Sequence, residues 1–122
     1  MSPAIGPYSP VRRVGDWVIT SGQVGMATGG DGVPALVPGG TLPQLHQVLR
    51  NVADVLAVEG ATLADVVKTT LYLVDMSEFT AVNEVWVAYF TENRPTRSAV
   101  AVVALPAGAR IEVEAWAYVP AV

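Results

Sequence analysis

The chain has 122 residues, 52% of them hydrophobic, with eleven acidic against seven basic side chains, a formal net charge of −4 and no cysteine. That length suits a single domain over residues 1–122 with no second core, and the lack of cysteine excludes a disulfide framework, thiolate catalysis and a zinc-ribbon site. With one lysine, Lys68, and no Lys/Arg cluster to neutralise phosphates, nucleic acid is not an expected partner.

Residues 1–10 (MSPAIGPYSP) hold three prolines and a glycine around Tyr8, which predicts an extended or turning arm. Tyr8 serves there either as a lid packed on the first strands or as the wall of a pocket. Val11–Val14 and Asp16–Gln23 read as two strands turning at Gly15-Asp16, with Trp17, Ile19, Ser21 and Gln23 alternating against Val18, Thr20 and Gly22. From Met26 to Gly40, five glycines and two prolines in fifteen residues leave no periodicity, so a mobile loop is expected. It lacks both GxxxxGK[ST] and GxGxxG spacing, which excludes a nucleotide cradle.

Thr41 opens a predicted helix: Thr41 and Gln44 fit a capping box, Pro43 falls in the first turn, and Leu45, Val48, Leu49, Val52, Val55 and Leu56 form an apolar stripe before Gly60 ends it. Gln47, Arg50, Asn51 and Asp54 are expected on the opposite, solvated side. His46, the one histidine, reads as a surface residue of this helix rather than a metal ligand. Val66–Val74 is a β-branched strand, with Val67, Thr69, Leu71 and Leu73 on one face and Val66, Lys68, Thr70, Tyr72 and Val74 on the other. A second helix starts near Asp75 or Ser77 with a stripe of Phe79, Val82, Trp86, Tyr89 and Phe90, and Asn83 lies beside that stripe.

The last stretch carries two apolar runs, Thr96–Ala104 and Arg110–Val119, split by a Pro-Ala-Gly-Ala turn that predicts adjacent strands. Arg97 sits in the first run among Val, Ala and Ser, so its charge needs a partner from elsewhere: a bound anion, or Glu112 or Glu114 across the strand pair. Glu112 and Glu114 share a face with Arg110, Trp116 and Tyr118, while Ile111, Val113, Ala115, Ala117 and Val119 form the core face. The order of elements implies an α+β architecture whose two helices cover one face of one sheet. The other face, bearing Tyr72, Val74, Trp116 and Tyr118, is left for a ring-like homo-oligomer to bury, in keeping with the high apolar fraction. Without a run of eighteen apolar residues or a signal-like N-terminus, a cytoplasmic protein with no membrane partner is expected.

Five stretches, AIGPYS (4–9), VITSGQV (18–24), VVKTTLYLVDMSEFTAVNEVW (66–86), RPTRSAV (94–100) and ARIEVEAWA (109–117), resemble the RidA/YjgF family of reactive-intermediate deaminases in family order. The resemblance implies a chorismate-mutase-like α+β fold, a mixed sheet with two helices on one face, and a homotrimer with three clefts between subunits. It implies hydrolysis of enamine/imine intermediates such as 2-aminoacrylate to a 2-keto acid and ammonia, with no cofactor and a small 2-imino or 2-keto acid as ligand. It assigns carboxylate binding to Arg97, proton handling to Glu112, and substrate binding also to Tyr8, Ser21, Asn83 and the position of Ala99, where the family often has cysteine. The rival from another class is a non-catalytic trimer, binding small carboxylates or acting as a chaperone. A third label attached to the family, endoribonuclease, predicts a basic surface that this acidic chain lacks.

Overall fold

The computed structural model describes residues 6–121. Ten elements follow the chain: β1 (Val11–Val14), β2 (Trp17–Thr20), β3 (Gln23–Val24), β4 (Met26–Thr28), β5 (Pro34–Leu36), α1 (Thr41–Val58), β6 (Val66–Leu73), α2 (Phe79–Tyr89), β7 (Thr96–Ala101) and β8 (Ile111–Tyr118). The main sheet runs β1-β2-β8-β6-β7, with β3 also paired to β8. β7 lies parallel to β6, a pairing that needs a crossover, and α2 supplies it; the remaining neighbours in this sheet are antiparallel.

The period-two pattern of β8 sets the layers. Ile111, Val113, Ala115 and Ala117 are all buried and meet Leu45, Val48, Leu49, Val52 and Leu56 of α1, with Val82 and Trp86 of α2, in one core. Both helices therefore cover one face, as expected. The other face carries Trp17, Tyr72, Glu112, Glu114, Trp116 and Tyr118 with no helix above it, and Trp116 and Tyr118 are 37% and 46% exposed. Gly60, at φ +79, ends α1 as predicted, with the amide of Ala61 donating to Leu56 O. The β1–β2 turn falls at Gly15-Asp16, with Val14 opposite Trp17.

Several expectations need correction. β7 and β8 are not adjacent, because β6 lies between them. The Val102–Arg110 connection steps over the end of β6, with Val102 N donating to Leu73 O and Val74 N donating to Arg110 O. A turn signal fixes reversal but not which strand fills the gap, and β6 buries Thr69, Leu71 and Leu73. A bulge between Val66 and Lys68 moves Val66 into the core and leaves Val67 44% exposed, the reverse of simple alternation.

The 26–40 segment is not a loop throughout. β4 and β5 form a short ribbon, with Gly29–Val33 as its tip and Gly32 at φ +78. Strands of three residues are too short to show alternation.

At α1 the capping box is absent and Gly40 precedes the helix without a side-chain cap. Thr41 instead donates to Glu78 and accepts from Arg110 Nε, while Gln44 accepts from the Arg110 amide. Asn51 is buried rather than solvated, and its Nδ2 donates to Val24 O and Met26 O. His46 is exposed, with Nδ1 2.7 Å from the Tyr89 hydroxyl.

Candidate active site

Arg97 lies opposite Thr69 in the parallel β6–β7 pair, and Thr69 is 1% exposed, so both side chains project to the helix-covered face. There α2 presents Phe79, Asn83 and Trp86, spaced i, i+4 and i+7 on one helical face. The guanidinium sits 4.9 Å from the Trp86 ring centroid and 5.3 Å from that of Phe79. Its Nη2 donates to Asn83 Oδ1 at 2.7 Å, its one hydrogen bond among the described residues. The ion pair across the strands, one of the two partners considered for Arg97, is not formed among the described residues. Burial lowers the Arg97 pKa from its ordinary value, though a guanidinium stays charged. The result is a half-buried cation held close to two rings with most of its donors unspent. Ala99, two residues on and opposite the fully buried Leu71, faces the same way and packs on the edge of the core.

Glu112 belongs to a second group. It stands opposite Tyr72 on the open face, half-buried and without a hydrogen bond among the described residues. A Cβ on Gly22 would lie 2.7 Å from the Glu112 Cδ, so only glycine lets this carboxyl rest on the backbone there. Burial first, and then the charge of Glu114, raise the Glu112 pKa. Ser21, next to Gly22, donates from Oγ to Ser9 O at 2.7 Å and from its amide to Pro10 O at 2.9 Å. These two bonds pin the arm that carries Tyr8, whose side chain is 46% exposed.

The six residues singled out from the sequence thus fall into two sets. Arg97, Asn83 and Ala99 come together on the covered side of the sheet edge; Glu112 lies on the open side, with Ser21 one residue from the Gly22 it rests on and Tyr8 on the arm that Ser21 pins. One chain does not join them. Sequence reasoning placed Phe79 and Trp86 only in the core stripe and missed the bed they make for Arg97. Their spacing with Asn83 was the available signal. It also passed over Gly22, a glycine inside a strand pattern that marks a close approach. Among the described residues, no group of three or more His, Asp or Glu side chains is placed to hold a metal ion, and no helix is long and apolar enough to cross a membrane.

The model of the family described as endoribonuclease L-PSP matches residues 1–119. A mouse protein named 2-iminobutanoate/2-iminopropanoate deaminase is 43% identical over 114 residues, covering 93% of this chain and 82% of its own. Among solved structures, RidA from an Antarctic Psychrobacter superposes with a TM-score of 0.88 at 38% identity, covering 96% of this chain and 92% of that one. A putative endoribonuclease from Thermotoga maritima gives 0.87 at 41%, covering 97% and 91%. Sequence, fold and coverage agree, and the chain belongs to the endoribonuclease L-PSP family, the RidA/YjgF proteins.

Proposed function

We propose that this protein hydrolyses small enamine and imine acids of the 2-aminoacrylate type to 2-keto acids and ammonia, in clefts between the subunits of a cytoplasmic homotrimer of single-domain chains with a chorismate-mutase-like fold. The deaminase names of relatives sharing 43% identity over nearly the whole chain support the reaction. The observation that carries the reading is the unspent guanidinium of Arg97. A planar carboxylate takes two parallel charge-assisted bonds from such a fork, worth roughly 1.5–3 kcal/mol each where water is excluded.

With the carboxylate anchored, the chemistry asks little. A water oxygen bonds to the imine carbon while its proton passes to Glu112. That proton is delivered to nitrogen, giving a carbinolamine; Glu112 then takes the hydroxyl proton and hands it to the amine, so the C–N bond breaks and ammonia leaves as the C=O bond forms. A carboxylate whose pKa is lifted toward neutrality is suited to both transfers, and positioning supplies the rest. Tyr8, Ser21 and Asn83 line the cleft, and Ala99 contributes main-chain groups, so no thiol takes part. The split just described supports an assembly of copies: the edge of one copy must meet the open face of the next for Arg97 and Glu112 to share a ligand.

The family model's name refers to RNA cleavage, but a net charge of −4 with a single lysine gives no phosphate-binding surface. A coupled assay with a pyridoxal-phosphate dehydratase tests the reading. Keto-acid release accelerates with the wild type, and Arg97→Ala lowers kcat/KM by about 10²-fold or more. Full activity in that variant, or ligand binding without turnover in the wild type, overturns it.

A further inference from the structure

The open sheet face holds two polar side chains that the hydrolysis above leaves unused. Glu114 follows Glu112 by two residues on β8, so the two side chains leave one face from Cα atoms about 7 Å apart, two strand rises. Tyr72 is the register partner of Glu112, yet its hydroxyl bypasses that residue and donates to Glu114 Oε1 at 2.5 Å. One carboxylate therefore has a strong donor, while the other rests on Gly22 with none among the described residues.

The remaining charged groups near this face do not even out the difference. Lys68 on β6 is opposite Trp116, with Nζ 5.5 Å from that ring. Arg12 is on β1, opposite Ile19 and on the far side of β2. Arg110, two residues before Glu112, is bound to Thr41, Glu78 and Asp75. The facing positions of β7, Ser98 and Val100, and those of the 21–24 segment are uncharged.

We propose that Tyr72 is a positioning residue for the β8 carboxylates: its hydroxyl holds Glu114 in place as the charged neighbour of Glu112 and leaves Glu112 as the group that exchanges protons with water and substrate. A hydroxyl that donates to a carboxylate favours the charged form of that carboxylate. The hydrogen bond to Glu114, followed by burial, pushes the Tyr72 pKa up to about 12, so the phenol remains a donor throughout the working range. The anchored charge of Glu114 in turn raises the affinity of Glu112 for the proton that leaves the attacking water. The catalytic half of this inference rests on the imine-hydrolysis reading; the coupling of Tyr72, Glu114 and Glu112 does not.

The test is a carbon-13 NMR titration of glutamate carboxyls in the assembled protein, assigned with Glu112→Gln and Glu114→Gln. In the wild type, the Glu112 midpoint lies above the ordinary glutamate value. Glu114→Gln lowers the Glu112 midpoint by roughly half a pH unit, the size of a screened like-charge neighbour, and moves the acid limb of kcat/KM down with it. Tyr72→Phe keeps the ring but removes the donor, so Glu114 is no longer held as a fixed charge and the Glu112 midpoint falls. A Glu112 midpoint unchanged in Tyr72→Phe, or one at the ordinary glutamate value in the wild type, overturns the inference. The expected Glu112 shifts without any acceleration of keto-acid release count against the deaminase reading and leave the pairing standing.

Discussion

Glu112 shows two demands meeting in one side chain. Half-buried on the open face and close to Glu114, it has a folded-state pKa above its unfolded value. Its protonated form is thus favoured by folding: the stabilising contribution is fully present below the unfolded value and is lost as pH rises through the folded one. Glu112→Gln mimics the neutral form, so it melts above the wild type at pH 7, by about 1–3 °C given solvent screening at a half-exposed site. The gap closes near pH 4, and calorimetry at both pH values checks it. The same substitution lowers turnover by about 10²–10⁴-fold, the usual weight of a proton-transfer group. Arg97 makes a parallel compromise, since its aromatic bed and Asn83 fix its direction while leaving donors unsatisfied.

At the level of elements, the helices do more than cover the sheet. Asn51 of α1 accepts from Gln47 and donates to the carbonyls of Val24 and Met26, fastening the β3–β4 corner to the helix. Asn51→Leu strands those carbonyls in a buried setting and costs about 2–3 kcal/mol, measurable as a lower urea midpoint at unchanged slope. Thr41, Gln44 and Glu78 hold Arg110 at the start of β8 in the same way. Such long-range bonds explain where the sequence misled. Thr41 and Gln44 have the spacing of a capping box, and Asn51 falls on the polar side of the stripe, yet tertiary partners claimed all three. The core face of β8, the α2 stripe and the end of α1 at Gly60 were legible because burial period and local backbone alone determine them. The place of β6 between β7 and β8, the bulge at Val66 and the β4–β5 ribbon were not, since each depends on pairing between segments far apart or too short to show a pattern. In the candidate site, residue types and their family spacing were legible. Their division between two faces needed the register of β7 on β6.

For the whole molecule, this division has a consequence that can be tested by mixing. A protomer offers Arg97 from one side of its sheet and Glu112 from the other, so each cleft of the proposed ring borrows one from each neighbour. Arg97→Ala and Glu112→Gln chains are each inactive alone, but unfolded together and reassembled they form hybrid rings. Every hybrid contains one junction at which an intact arginine meets an intact glutamate. Random assembly of equal amounts restores about a quarter of wild-type activity, the product of two even chances at each junction. Recovery near that fraction marks a shared catalyst; a mixture as inert as its components would mean that each chain works, or fails, alone.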